Sequence, residues 1–193
     1  MNGKDVERVV IQVRKQIDLA KAELGDEFYP AHLSVALIDA VYTPRLNYYS
    51  QVVPVIDRYC ARFGLLRTRP DRLVLPPVDD QETLAGLIGH FEALGPDGLQ
   101  EQVFRSRYCS PGTRILKSEN VRRAAIGLRQ TGIDTLQDAQ SSSPDVIKCA
   151  LRPLQGIGDR TIHMFLMYAG CDEFVKGDVH VCRFVARALQ NAL

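Results

Sequence analysis

The sequence predicts an all-α protein, and three observations carry that reading. Apolar residues recur in steps of three and four, no run sustains apolar/polar alternation, and Ser, Thr, Asp and Pro repeatedly stand where helices begin. Hydrophobic residues at 46% and charged residues at 24% of 193 are ordinary globular values, enough for a real core. No apolar run approaches the roughly 20 residues that span a bilayer. Acidic and basic residues interleave between Lys4 and Lys21, a pattern foreign to signal and transit peptides. A cytoplasmic protein without a membrane partner is expected.

Val6, Val10, Val13, Ile17, Ala20 and Leu24 share one face of a first helix ending near Gly25. The apolar run 33–41 reads as a buried helix. Thr43-Pro44 reads as an N-cap with a first-turn proline, opening a helix that reaches about Phe63. Residues 64–77, rich in Arg and Pro, have no helical period. Asp79 and Glu82 have capping-box spacing and predict a helix to Leu94, stopped by Gly95-Pro96. Further helices are expected over 96–106, 118–130 and 134–140. The run Ser141-Ser142-Ser143-Pro144 breaks and restarts the chain, with Pro144 opening a helix to about Pro153. There is no internal repeat. Three parts are expected: residues 1–32, an amphipathic helix packing on the C-terminal part; 33–134, a helical lobe; and 135–193.

Cys60, Cys109, Cys149, Cys171 and Cys182 are an odd set without CxxC spacing, which argues for free thiols over a disulfide framework or a zinc ribbon. With a net charge of only +1, any nucleic-acid surface must be local. Arg105, Arg107, Arg114, Lys117, Arg122, Arg123 and Arg129 fall in a window holding the single acid Glu119, and form either a phosphate-facing surface or a solvated helix face.

Residues 151–161 read as two helices joined by a turn containing Gly156-Ile157-Gly158. Glycines there open backbone angles closed to other residues and bare the N–H groups that start the second helix, a site suited to one phosphate. A tight interhelical turn explains the same glycines. The second helix is closed by Gly170, and Asp178 after Gly177 has the place of an N-cap.

The string LxxLxGIGxxT over residues 151–161, an apolar helix with its closing glycine, and then VxxDxHVxRF over 175–184 resemble the helix-hairpin-helix and catalytic-aspartate signature of base-excision DNA glycosylases: endonuclease III, the adenine glycosylases and the alkylpurine glycosylases. Residues 115–121, Ile-Leu-Lys-Ser-Glu-Asn-Val, are similar to the helix start that precedes the hairpin there. The resemblance implies a two-lobed all-α glycosylase fold and a partner: double-stranded DNA carrying a damaged or mismatched base. It implies location on the nucleoid in a prokaryote.

Asp178 then falls on the aspartate that stabilises the sugar cation and orients water, a role compatible with capping. Gly156, Ile157, Gly158, Arg160 and Thr161 match the phosphate-contacting hairpin. The carbonyls of Arg152, Leu154 and Ile157 match those that hold a sodium or potassium ion. His180 and Arg183 either contact phosphate or satisfy the core. Arg160 stands where strand-nicking members carry a Schiff-base lysine, which implies a monofunctional hydrolase. Only Cys182 follows Asp178, so no iron–sulfur cluster is expected. Val41 replaces the glutamine that fills the gap left by the flipped base, leaving Tyr42 or Asn47 as the wedge, with Tyr42 as a core aromatic the other reading. The alternative function is a non-catalytic helix-hairpin-helix DNA-binding protein.

Overall fold

The computed structural model describes residues 3–18, 20–21, 24–95, 97–171, 174 and 179–190, without the side chain of Val179. Among these residues the protein is all-α. No strand forms, and the extended pairings are isolated bridges, Pro30 with Thr68 and Cys109 with Leu116. In chain order the helices are α1 (Gly3–Gln16), α2 (Leu33–Tyr42), α3 (Val53–Phe63), α4 (Leu84–Leu94), α5 (Lys117–Gln130), α6 (Leu136–Ser141), α7 (Pro144–Leu151), α8 (Asp159–Tyr168) and α9 (Val179–Gln190). No described helix is long and apolar enough to cross a membrane.

The chain divides into two compact units, Met1–Gly25 with Lys176–Leu193, and Asp26–Val175. In the first, α1 packs on α9. The second is built around α2, all of whose residues are buried and which packs against α3, α4, α5 and α8. A helix apolar on every side has no face to give to water, so the others must surround it. Residues 135–175, hairpin included, belong to this unit with α2 and α5.

Local chemistry explains where elements depart from expectation. α1 ends at Gln16, and just beyond it the Asp18 carboxylate accepts the Ala20 N–H at 3.2 Å, a turn contact that competes with helix. Thr43 does not open a helix; it ends α2, donating its N–H to the Asp39 carbonyl and its hydroxyl to the Asp39 carboxylate at 2.8 Å. The next N-cap is Asn47, whose Oδ1 accepts the Ser50 N–H at 3.0 Å, and a wide turn follows over Tyr48–Val52 before α3. The predicted capping box at Asp79 does not form. Thr83 caps α4 by accepting the Gly86 N–H at 3.1 Å, because Glu82 turns into the core. There its carboxylate accepts from Ser34 Oγ and from Tyr59 OH (2.7 Å) and meets His90 Nε2 (2.7 Å). The His90 ring lies stacked on Phe63. A true capping box joins Thr135 and Asp138 at the start of α6. The expected helix over 96–106 forms as a short π-helix, Leu99–Phe104, ended by Arg105 with φ 48°. Pro144 opens α7 behind a Ser143 cap, and Gly170 (φ 89°) ends α8, both as expected.

Candidate functional site: a cationic cleft at the hairpin

After α7 the chain turns through two short backbone bonds, Leu154 N–H to the Leu151 carbonyl (3.1 Å) and Ile157 N–H to the Leu154 carbonyl (3.0 Å), and enters α8. The two glycines of this hairpin have different reasons to exist. Gly156 sits at φ 88°, and a Cβ there would stand 2.6 Å from Ser110 Cβ and 3.1 Å from both Asn120 Nδ2 and Thr113 Cγ2, so the fold itself excludes a side chain. Gly158, the N-cap of α8, has φ −111° and ψ 176°, open to any residue, and an added Cβ would meet nothing within 4 Å. Nothing inside the described protein demands glycine at 158. What the missing side chain does is bare the first N–H groups of α8 to solvent. Ile157 and Thr161 are buried and anchor the turn, while Asp159 and Arg160 face outward.

These groups line one side of a cleft of about 540 Å³; Pro44 and Arg45, from the turn after α2, and Pro111 line the rest. Arg45 is exposed and held at φ 63°. Half of the cations of this unit are matched by acids, among them Arg67 with Asp57, Arg72 with Asp26, Arg107 with Glu101 and Lys148 with Asp145. Arg45 and Arg160 have no acid partner among the described residues. The carboxylate that lines the cleft, Asp159, is held by Arg152 at 3.0 Å. The cleft is therefore a concavity with two uncompensated guanidinium groups and the positive end of a ten-residue helix, an arrangement that attracts an oxyanion such as phosphate.

The remaining sequence candidates distribute differently. Lys117 does not face a ligand: it is 1% exposed, and its ammonium donates to the carbonyls of Val41 (2.8 Å) and Pro44 (3.1 Å). Burial pulls its pKa down to about 8. The basic window is only in part a free cationic face: Arg122 and Arg123 both hold Glu119, Glu101 and Asp134, just outside the window, take Arg107 and Arg129, and Arg105 and Arg114 stay exposed without an acid partner among the described residues. Tyr42 is fully buried with its ring edge-on to Phe104, and Val41 is 2% exposed; neither reaches out as a wedge. Asn47 is exposed but spends its Oδ1 as a cap. His180 and Arg183 are exposed on α9, in the other unit, and Asp178 lies outside the described residues.

Three side chains at or beneath the candidate site escaped sequence reasoning. Arg45 carried no signal beyond following Pro44. Asn120 was visible only as part of the 115–121 string; it is fully buried and donates through Nδ2 to Ser110 Oγ (2.7 Å) and to the Gln155 carbonyl (3.0 Å), tying α5 to the hairpin. Asp39 did have a signal, a lone carboxylate within the apolar run 33–42. It accepts from Thr43 Oγ1 (2.8 Å) and Tyr48 OH (2.9 Å), and Arg67 donates to that Tyr48 oxygen at 3.2 Å. Burial raises Asp39 to about 6, outweighing the opposing pull of those donors. No group of His, Cys, Asp and Glu among the described residues is placed to hold a metal.

Comparison with known families places this chain. The sequence model of the family described as Domain of unknown function (DUF8548) matches residues 7–193, and the chain belongs to that family. No curated protein and no solved structure matches it.

Proposed function

We propose that this DUF8548 protein is a DNA base-excision glycosylase of the helix-hairpin-helix type, on a two-lobed all-α fold. In this reading it binds double-stranded DNA and hydrolyses the N-glycosidic bond of a damaged or mismatched base after that base leaves the stack. The observation that carries the binding half is Gly158, a glycine without an internal reason, at the mouth of a cleft flanked by two unpaired arginines. A phosphate fits against the bared N–H groups of α8 because helix dipole and guanidinium both favour its charge.

The catalytic half rests on the sequence resemblance at Asp178. Its carboxylate stabilises the oxocarbenium-like sugar as the bond to the base breaks, and orients the water that attacks. Arg160, always protonated, cannot form a Schiff base, so the reaction is simple hydrolysis with an abasic site as product. The carbonyl oxygens of Arg152, Leu154 and Ile157 would hold a sodium or potassium ion between hairpin and DNA. Three neutral oxygens without a carboxylate suit a monovalent ion, and the Leu154 oxygen, which accepts from Ile157 N–H, keeps its second lone pair. The protein works in the cytoplasm, on the nucleoid in a prokaryote.

One finding favours the alternative, a helix-hairpin-helix protein that binds DNA without chemistry: Val41 and Tyr42 are both buried, so this loop lacks the usual gap-filling side chain. A screen of duplexes carrying uracil, oxidised, alkylated and mismatched bases separates the two. The glycosylase produces alkali-labile abasic sites in one of them, and Asp178→Asn abolishes that product while DNA retention stays. Retention by the wild type with no abasic product on any duplex leaves the binder, and full base release by Asp178→Asn removes the aspartate from the mechanism.

A further inference from the structure

α5 touches both sides of the cleft through two buried side chains one helical turn apart. Lys117 reaches the turn after α2, where it holds the carbonyls of Val41 and Pro44, the residues bracketing the approach to Arg45. Asn120 reaches the hairpin, where it holds the Gln155 carbonyl next to Gly156. Neither buried group is needed by the helix that carries it, and each is costly. A desolvated ammonium with carbonyl partners and no carboxylate among its hydrogen bonds is unfavourable relative to an apolar side chain of the same size. Asn120 also leaves its Oδ1 buried without a partner. Such costs are expected where a geometry is being set rather than stability maximised.

We infer that Lys117 and Asn120 are the positioning residues of the cleft, and that Arg45 is its second DNA contact, taking a backbone phosphate on the strand held by the hairpin. This rests on the DNA reading above and adds residues that the hairpin motif does not include. The Arg45 guanidinium is exposed, lines the same cleft as Gly158 and Arg160, and has no acid partner among the described residues. Its backbone follows two anchored residues, and the turn is closed behind it by the Leu46 N–H on the Thr43 carbonyl at 3.3 Å. Thr43 is tied to Asp39, and Pro44 is tied to Lys117, so the arginine is presented from a rigid turn and little entropy is lost when it pairs. Phosphate contacts of this kind position a duplex without reading its sequence.

The test is a double-mutant cycle on binding to an undamaged duplex, with Arg62→Gln as the control, an exposed arginine on α3 that does not line the cleft. Arg45→Gln should weaken binding about 5- to 10-fold at low salt and reduce the slope of log affinity against log salt by about 1, with Arg62→Gln changing neither. In a Lys117→Met background the further effect of Arg45→Gln should shrink to below about 2-fold, because the turn no longer presents the side chain, while Gly158→Asp keeps its full effect. General destabilisation by Lys117→Met would scale all variants alike and leave the Arg45 effect intact, which would overturn the positioning role. Should Lys117→Met not fold, Asn120→Ser takes its place, with the Gly158→Asp effect as the one that shrinks. Arg45→Gln binding like wild type while Gly158→Asp binds weakly would overturn the Arg45 contact and spare the hairpin reading. A wild type that binds no duplex at low salt would defeat the DNA reading itself.

Discussion

The two sides of the cleft are built by opposite means. The hairpin side is shaped by neutral groups, Gly156 at positive φ, short backbone bonds and the amide of Asn120, with its charges Arg152, Asp159 and Arg160 at the surface. The turn after α2 is anchored by buried charge, with the Asp39 carboxylate gripping Thr43 from one end and the Lys117 ammonium gripping Val41 and Pro44 from the other. Burial moves both anchors toward neutrality of charge, Asp39 up to about 6 and Lys117 down to about 8. One side of the site is thus indifferent to pH near neutrality and the other is not. The difference separates glycines and amides that make a shape from charges that hold a shape at an energetic cost.

The largest effect should come from the hairpin. Gly156→Ala combines a left-handed backbone angle with a Cβ driven to 2.6 Å from Ser110 Cβ, and should lower unfolding free energy by about 2–5 kcal/mol in chemical denaturation. A loss below about 0.5 kcal/mol would mean that Ser110 and Thr113 move aside freely, and the hairpin would not be the rigid partner in the comparison.

The turn side predicts a pH signature of similar size. The folded-state pKa of Asp39 lies above its ordinary value of 3.8, so between 3.8 and about 6 the folded protein keeps a proton that the unfolded chain has lost. Stability therefore falls as pH rises through that window, by about 3 kcal/mol for this group. Asp39→Asn lacks the titration, so the stability difference between variant and wild type should move by that amount in the variant's favour from below pH 3.8 to above pH 6. A difference that stays flat would remove the buried charge from the turn. Asp39→Asn also keeps a side-chain acceptor for Thr43, which separates loss of charge from loss of the bond.

The smallest effect on stability is the sharpest on function. Gly158→Asp places a good N-cap with a negative charge at the start of α8, where nothing lies within 4 Å of the new Cβ, and should change stability by less than about 1 kcal/mol, in the stabilising direction. The same carboxylate repels phosphate, and duplex affinity should drop about 10-fold or more at low salt, equivalent to about 1.4 kcal/mol. Two glycines separated by a single residue, one essential to folding and the other only to binding, would be the outcome. Equal affinity for Gly158→Asp and wild type would leave Gly158 as a turn residue alone.

What the sequence by itself determined was everything governed by near neighbours: the helical class, the Pro144 start, the Gly170 stop and the glycine turn between α7 and α8. Caps and glycine angles act within a few residues, so local reading suffices for them. Where two local options competed, tertiary contacts chose. The Asp79 box lost to Thr83 because Glu82 was drawn away to Ser34, Tyr59 and His90. Lys117 reads as a surface cation in any local window, yet its partner carbonyl at Val41 lies 76 residues earlier in the chain. The basic window lost part of its free charge, that of Arg107 and Arg129, to Glu101 and Asp134, outside its own limits. Whether a charge is spent internally or left for a ligand depends on which distant segments pack against it. That is why Arg45, unremarked in sequence, stands at the cleft while Lys117 lies beneath it.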